Sequence, residues 1–426
     1  MRLHRRIARI VACAGLIALA GCQPASSTDH SNHASVATSD IPQTVRVTPW
    51  RLPASPGAAS PDLRIAPDGR LLLGWLQAGD NGTQHFRFAI ADAKGAWPAQ
   101  APRDIASGSD LVANWADTPH LIATADGALW AHWLQRQGEE RGGYDVVLAR
   151  SDDGGRSWQA KVKVNDDGTD SEHGFATLWP EGADRIGIAW LDGRNTTGAH
   201  AHHGGGRMTL RTASFDGTLT RHDERELDAS TCDCCQTGAA RVAGEPMLAW
   251  RGRDADETRD ILSSRRIDGR WQPARAVHAD GWRIEGCPVN GPALAAHGNN
   301  ALVGWYTEAD GDPRVRIALN AGRGFGPMHE VDAGAPVLGR VAVALDAKQA
   351  WVAWLREADG VQSLMLARFS PTLDREWQRI EVAKLKARGH ASGLPRLVTD
   401  GRGAWLVWTD VDAGARLLRG ARIGVE

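Results

Sequence analysis

The sequence predicts an all-β fold, a β-propeller of seven four-stranded blades. The first observation is a short apolar segment ending in tryptophan, which recurs seven times at intervals of about 55 residues. The second is that further short apolar runs flank each recurrence, with turns of glycine, aspartate or asparagine between them. No window carries a sustained helical period of about 3.6 residues. Units of about 50 residues that each supply four short antiparallel strands are typical of propeller blades.

The tryptophan-ending segments are expected to be the second strand of each blade, and they occupy residues 71–75, 129–133, 186–190, 246–250, 301–305, 351–354 and 405–408. A first strand precedes each segment and a third follows it. The fourth strand begins near a further tryptophan in four repeats: Trp97, Trp158, Trp271 and Trp377. The 18 tryptophans, against 2 tyrosines and 6 phenylalanines, therefore mostly reflect the packing of bulky rings between blades.

The ends of the repeat array predict how the ring closes. The last repeat supplies only three strands, whereas residues 44–50 form a lone strand ahead of the first repeat. Pairing this N-terminal strand with the last blade completes it and removes both free sheet edges. The alternative is a ring of six blades, if one of the repeats is irregular.

The N-terminus has the features of an export signal, because an arginine-rich start precedes an apolar stretch of residues 10–20, too short to span a bilayer. This stretch ends in Leu-Ala-Gly-Cys at Cys22 and resembles the lipobox of bacterial lipoproteins. The resemblance implies cleavage before Cys22 and acylation of that cysteine, and Gln23 after it implies the outer membrane. The alternative is an ordinary signal peptide with an incidental cysteine.

The chain is thus expected to divide into a signal peptide over residues 1–21, a flexible tether over 22–41 and the propeller over 42–426. The tether would anchor the protein through lipid to the bacterial cell envelope, facing the periplasm or the cell surface. A nucleic-acid partner is not expected, because 49 Lys and Arg residues are balanced by 51 Asp and Glu residues.

One turn carries a family resemblance. The segment from Ser151 to Trp158, with Asp153 and Gly155 between them, fits the Asp-box pattern Ser-x-Asp-x-Gly-x-(Ser/Thr)-Trp. It follows the third strand of a blade, where sialidase-like propellers carry that box, so the chain resembles this superfamily (also described by its BNR repeats). The resemblance implies the propeller fold, with the Asp capping turn amides and the Trp packing between blades. Asp boxes are structural, so activity does not follow from them.

Blade topology places the loops that enter the first strands and the loops that follow the second strands at one mouth of the channel, where propellers usually bind their ligands. Four cysteines fall in such loops of the fourth and fifth repeats: Cys232, Cys234, Cys235 and Cys287. Outside the cytoplasm they could form disulfides, or they could form a metal or redox site. Thiolates favour a soft ion such as Cu(I), for which imidazole ligands would come from His173, His200, His202 and His203.

The resemblance to sialidases also implies which residue types a catalytic site in this chain would need. It needs arginines for a carboxylate, an acid/base Asp and a Tyr made nucleophilic by a Glu. Tyr306 with Glu308 is the expected nucleophile pair, because Tyr144 lies at the start of an outer strand and is expected to be poorly placed. The other candidates are the arginines Arg194, Arg251, Arg253 and Arg340, and the acids Asp117 and Asp192.

Three functions therefore remain open from the sequence. The first is a binding or metal- and thiol-handling protein of the envelope, with its site in the Cys and His loops. The second is an exo-acting glycoside hydrolase of sialidase type. The third is a protein-interaction scaffold whose loops are pinned by disulfides. Trp115 and Trp282, in loops entering the second and fifth blades, are left as candidate stacking platforms for a ligand. The sequence does not decide between glycan, metal and protein partners.

Overall fold

The computed structural model describes residues 44–100, 102–137, 143–196 and 206–426. Within them the chain forms seven antiparallel sheets of four strands arranged as a ring, so the prediction of a seven-bladed β-propeller is confirmed. Short 3-10 turns at Asp80–Gly82, Ala309–Gly311 and Gly389–Ser392 are the helical elements of the described part. No helix in these ranges has the length and apolar character needed to cross a membrane. The proposed signal peptide, tether and Cys22 lie outside the described residues.

The strands of the first four blades follow one another along the chain. Blade 1 consists of β2 (Ala58–Ile65), β3 (Leu71–Ala78), β4 (Gln84–Ala91) and β5 (Arg103–Gly108). Blade 2 consists of β6 (His120–Ala123), β7 (Leu129–Arg136), β8 (Tyr144–Ser151) and β9 (Val162–Lys163). Blade 3 consists of β10 (His173–Pro180), β11 (Ile186–Asp192), β12 (Thr209–Phe215) and β13 (Arg221–Asp228). Blade 4 consists of β14 (Gly238–Val242), β15 (Glu245–Arg251), β16 (Ile261–Ile267) and an outer strand in two pieces, β17 (Arg270–Trp271) and β18 (Arg275–Ala276).

The remaining blades repeat this order, and the last one closes the ring. Blade 5 consists of β19 (Ala293–His297), β20 (Asn300–Thr307), β21 (Arg314–Asn320) and β22 (His329–Ala333). Blade 6 consists of β23 (Val337–Leu345), β24 (Ala350–Ala358), β25 (Val361–Phe369) and β26 (Glu376–Leu385). Blade 7 consists of β27 (Arg396–Thr399), β28 (Gly403–Asp412), β29 (Ala415–Val425) and the N-terminal strand β1 (Val45–Pro49), which pairs antiparallel with β29 as expected.

The tryptophans that were expected to end the second strands form the seams between blades, although each strand continues past its tryptophan. All seven are buried: Trp75, Trp133, Trp190, Trp250, Trp305, Trp354 and Trp408. At three successive seams the indole Nε1 donates a hydrogen bond of 2.7 Å to an aspartate that follows or ends the outer strand of the preceding blade, and the pairs are Trp250–Asp228, Trp305–Asp280 and Trp354–Asp332. The ring therefore fills the gap and its polar edge ties the two blades together.

The turn from Ser151 to Trp158 is closed by hydrogen bonds to its own aspartate. Asp153 Oδ1 accepts hydrogen bonds of 2.9 Å from the backbone amides of Arg156 and Ser157. Trp158 meets Phe88 of the neighbouring blade edge-on, with 6.1 Å between ring centroids. Gly155 has a φ of +80°, and a Cβ there would lie 2.1 Å from the Phe88 ring, so only glycine fits. The turn thus joins blades 1 and 2 on the outer side.

Inner strands of three blades contain a bulge close to the channel. The pairing register shifts in β2, β10 and β23, and each shift contains a non-glycine residue with positive φ: Ser60, Phe175 and Arg340. A bulge turns one side chain away from the regular alternation of the strand, and such features concentrate near functional sites. Two of these side chains, Phe175 and Arg340, point towards the groups described next.

Candidate functional site

A cavity of about 750 Å³ lies at one mouth of the channel. Its walls come mainly from the loops that enter the inner strands of blades 2, 3, 4, 5 and 7 and from the loop that follows the second strand of blade 4, which are loops that the sequence places at one mouth. The lining residues that matter below are Trp115, Tyr144, Glu172, Phe175, Asp233, Cys234, Arg253, Glu257, Arg259, Glu285, Cys287 and His390. Aromatic rings, carboxylates and two thiols therefore share one enclosure.

Four sulfur atoms meet beside this cavity. Cys232 Sγ lies 2.8 Å from Cys235 Sγ and 3.9 Å from Cys234 Sγ, and the three sulfurs all lie within 4.8 Å of one another. Cys287, from the loop of the next blade, makes a side-chain contact with Cys234. None of the four cysteines of the described part is joined in a disulfide. The structure thus brings together the cysteines that the sequence placed in equivalent loops.

The loop that carries the three neighbouring cysteines (the cysteine loop, 231–237) is held by bonds on both sides. The amide of Cys232 donates 3.0 Å to the carbonyl of Arg251, at the end of β15. The side chain of Gln236 donates to the carbonyl of Ala116 in blade 2 and accepts from the amide of Gly291 in blade 5, at 3.0 and 2.9 Å. Because three blades fix its backbone, the sulfurs are positioned before any ligand arrives.

Two buried arginines surround the sulfurs with positive charge. Arg259 Nη1 lies 3.5 Å from Cys232 Sγ, and Arg251 acts on the same sulfur electrostatically. Burial raises the pKa of Cys232, but contacts with Cys234 and Cys235 and the charge of Arg251 outweigh burial and hold it well below its usual range. Burial and the contact with Cys232 raise the pKa of Cys235. One thiolate is therefore stabilised within the group at neutral pH.

The histidines expected beside the cysteines are not placed there by the described residues. His173 is fully buried, with Nε2 3.0 Å from Asp167 Oδ1 and 3.7 Å from Asp192 Oδ1. It belongs to a separate group with those two carboxylates, because as the first residue of β10 its side chain turns into blade 3. His200, His202 and His203 lie outside the described residues.

The arginines proposed as a carboxylate clamp are engaged elsewhere. Arg251, 2 % exposed, donates to the carbonyls of Asn290, Arg259 and Tyr306. Arg194 donates two hydrogen bonds, of 2.7 and 2.8 Å, to the carboxylate of Asp192. Arg253 donates hydrogen bonds to the carboxylates of Glu257 and Asp233. These guanidinium groups hold loops in place, so the structure does not assemble them around a common ligand.

The expected nucleophile pair is formed but lies apart from the cavity. Tyr306 Oη donates 3.3 Å to Glu308 Oε2, and its ring meets the buried Trp282 edge-on. Tyr306 is not among the described residues that line the cavity. Burial and the charge of Glu308 raise the pKa of Tyr306, which disfavours a nucleophilic phenolate. Trp282 is sandwiched between Tyr306 and Arg251, so it offers no free face.

Tyr144 was expected to be poorly placed, and the structure corrects this. It is the first residue of β8, and the start of that strand lies next to Glu172, in the loop that leads into the next blade. Tyr144 lines the cavity and its phenol bonds to Glu172. Its position in a third strand gave no sign of this, because the approach depends on how blades 2 and 3 pack. The only sign of it in the sequence was that the chain has just two tyrosines, so Tyr144 was the one alternative to Tyr306.

Asp117 lies behind this pair, buried at 1 % exposure. Its Oδ2 accepts 2.7 Å from the amide of Phe175, whereas its Oδ1 has no hydrogen-bond partner among the described residues. Burial raises the pKa of Asp117 to about 7, with a further rise from the charge of Glu172 and a partial offset from the Phe175 amide. A carboxyl group that is half protonated near neutral pH can donate or accept a proton.

Trp115 is present at the rim but is covered on both sides. The ring of His390 stacks on it at 4.5 Å, and the guanidinium of Arg340 lies 4.7 Å from its centroid. Burial lowers the pKa of Arg340 to about 10. Trp115 therefore links blades 2, 6 and 7 at the mouth, and the sequence-based idea of a ligand platform does not fit this arrangement.

These features define a class of protein, a seven-bladed β-propeller with a cavity and a thiol cluster at one channel mouth. No protein-family model matches the sequence, and no curated protein matches it. Among solved structures it is similar to the polysaccharide lyase Uly1, at 8 % identity and a TM-score of 0.52 over 88 % of this chain and 91 % of that chain. It also matches the phage phi92 endosialidase, at 9 % identity and a TM-score of 0.47 over 90 % of this chain and 70 % of that one. At such identities the likeness shows the propeller fold alone.

Proposed function

We propose that this protein is an exported binding protein that holds one soft metal ion, Cu(I), between the thiolates of Cys232, Cys234 and Cys235. The observation that carries the proposal is that three buried sulfurs lie within 4.8 Å of one another. Cu(I) prefers thiolate ligands, and low coordination numbers suit a site of three sulfurs on one short loop. The lipid anchor at Cys22, proposed from the sequence, would place this site at the envelope membrane.

Positive charge beside the sulfurs supports a group of metal-bound thiolates. Three thiolates with Cu(I) carry a net charge of minus two, which the buried guanidinium of Arg251 offsets in part, together with that of Arg259, whose charge is shared with Glu257. A buried charge is stable only when it is compensated in this way.

Titration of the purified, reduced mature protein with Cu(I) tests the proposal. In the presence of a competing Cu(I) chelator, one ion is expected to bind per chain. Cys235→Ser is expected to weaken binding more than about a hundredfold, because it removes a ligand rather than an outer contact. Cys287→Ser is the matched control, since this exposed thiol lies outside the group of three, and its affinity should stay near wild type.

The outcomes separate the functions left open by the sequence. Four free thiols together with one bound Cu(I) support the metal site. A purified protein with no free thiols and no metal affinity would contradict it and leave a scaffold with disulfide-pinned loops. If Cys235→Ser and Cys287→Ser reduce affinity equally, the ligand set is not the group of three.

A second candidate, glycoside hydrolysis of sialidase type, is favoured by one observation. A protonatable carboxyl, Asp117, lies buried behind the bonded pair of Tyr144 and Glu172, which line the cavity. An Asp, a Tyr and a Glu are residue types that sialidase chemistry requires, but the tyrosine here is Tyr144 and not the expected Tyr306. Against this candidate stands the engagement of Arg194, Arg251 and Arg253 in loop contacts.

This candidate predicts a defined loss of activity. With a fluorogenic sialoside, Asp117→Asn is expected to lower kcat/KM at least about a hundredfold, the usual worth of a general acid or base. Activity that uses protonated Asp117 should fall as the pH rises through about 7, because the acid form is then lost. Tyr144→Phe should also reduce the rate, with Tyr306→Phe as the matched control. Equal loss in both tyrosine variants, or no turnover by the wild-type protein, counts against it.

A further inference from the structure

The four sulfurs at the mouth differ in their access to solvent. Cys287 is exposed and lines the cavity. Cys234, which it contacts, lines the cavity too but is buried. Cys232 and Cys235 lie behind it, at 1 % and 2 % exposure, and are not among the described residues of the cavity wall. The sulfurs therefore form a continuous series from solvent to interior, in which each one touches the next.

The cavity in front of this series is acidic. Four carboxylate side chains line it: Glu172, Asp233, Glu257 and Glu285. Two arginines also line it, but Arg253 and Arg259 are already bonded to Glu257. Glu285 is exposed and stands two residues before Cys287. A concave wall with an excess of negative charge raises the local concentration of cations, most strongly at low ionic strength.

We propose that Cys287 is the loading residue of the site, the thiolate that takes Cu(I) from an incoming donor complex and passes it through Cys234 to the buried sulfurs. The inference rests on the metal site proposed above. In the first exchange the Cys287 thiolate forms a copper–sulfur bond while one donor ligand leaves. In the second, Cys234 bonds to the ion as the remaining donor ligands leave, and Cys287 is released, taking up a proton from solvent, once Cys232 and Cys235 have bonded. Each thiol gives its proton to solvent or to the departing ligand, and copper remains Cu(I) throughout.

This role separates the rate of loading from the affinity. Cys287 is not a member of the group of three, so its removal leaves the final ligand set unchanged. Without it a donor complex must reach Cys234, which is buried in the cavity wall. An exposed residue can be changed to serine with little effect on the fold, so the variant remains folded.

The experiment mixes the reduced protein with the Cu(I)–bathocuproine disulfonate complex and follows the loss of the complex's absorbance in a stopped-flow instrument. Cys287→Ser is expected to slow the transfer at least about tenfold, while the equilibrium affinity changes less than about threefold, because rate and affinity are set by different contacts. Glu285→Gln serves as the electrostatic probe. The donor complex is an anion because its ligands carry sulfonates, so removing one negative charge from the wall is expected to speed the transfer and to weaken its salt dependence, with the affinity unchanged.

Each outcome decides between the two proposals. Wild-type transfer rates in Cys287→Ser overturn the loading role while the metal site stands. A fall in affinity as large as that in Cys235→Ser shows that Cys287 is a permanent ligand, which also overturns it. Absence of Cu(I) binding by the wild-type protein defeats the proposed function and, with it, this inference.

Discussion

Arg251→Met is expected to lower the free energy of unfolding by about 3–5 kcal/mol, a large share of the stability of a protein. The guanidinium is 2 % exposed and donates to three main-chain carbonyls, those of Asn290, Arg259 and Tyr306. Methionine fills much of the volume but leaves these buried acceptors without a donor, at about 1–3 kcal/mol for each one that water cannot reach. The packing against Trp282 is weakened as well.

Urea unfolding followed by circular dichroism measures the effect. Arg323→Met is the matched control, because Arg323 is exposed and its replacement should stay within about 0.5 kcal/mol of wild type. An unchanged urea midpoint for Arg251→Met would show that water replaces the guanidinium, and that the seam between blades 4 and 5 does not depend on it.

Trp354→Ala is expected to cost about 3–5 kcal/mol, as is usual for deletion of a buried tryptophan. The ring is fully buried between blades 5 and 6, and its Nε1 donates 2.7 Å to Asp332 Oδ2. Trp354→Phe keeps most of the apolar contact and loses the hydrogen bond, so it should cost less, about 1–3 kcal/mol. The difference in unfolding free energy between the two variants separates the contribution of packing from that of the hydrogen bond to Asp332.

Trp377 provides the comparison within the same blade. It is half-buried on the outer strand, with Arg368 over its ring at 4.7 Å, and Trp377→Ala should cost less than about 2 kcal/mol. The variants are compared by urea unfolding followed by circular dichroism, because fluorescence would change with the number of tryptophans. If Trp354→Ala is no more costly than Trp377→Ala, the seams are not held together by these rings.

The fold could be predicted from the sequence because its main cause is local and repeated. A strand that carries a buried tryptophan, such as Trp250 or Trp305, marks one blade, and the distance to the next such tryptophan gives the count. Closure of the ring by β1 could be predicted because the last repeat supplies only three strands and a lone strand precedes the first repeat. The split outer strand of blade 4 could not be predicted, because β17 and β18 contain two residues each.

The candidate site could be predicted only in part. The meeting of Cys234 with Cys287 followed from their equivalent positions in adjacent blades. The separation of His173 from the thiols did not, since the direction of a side chain at the start of β10 depends on the bulge beside it. The role of Arg251 could not be predicted either, because a long, charged side chain can bind a ligand carboxylate or donate hydrogen bonds to buried carbonyls. Sequence spacing places a residue on a loop, whereas the packing of blades decides which way it faces.

The closure of the ring has a consequence for how the protein can be rearranged. The amide of Glu426 donates 3.0 Å to the carbonyl of Thr44, so the start of β1 lies beside the end of β29. The described chain is in effect a circle cut once inside blade 7, and every junction between consecutive blades is covalent. A circular permutant that joins residue 426 to residue 44 by a short linker and opens the chain at an outer turn would keep all seven sheets. The N-terminus, where the lipid anchor is proposed, could then be moved from blade 7 to a chosen blade, which would attach a different part of the ring to that anchor.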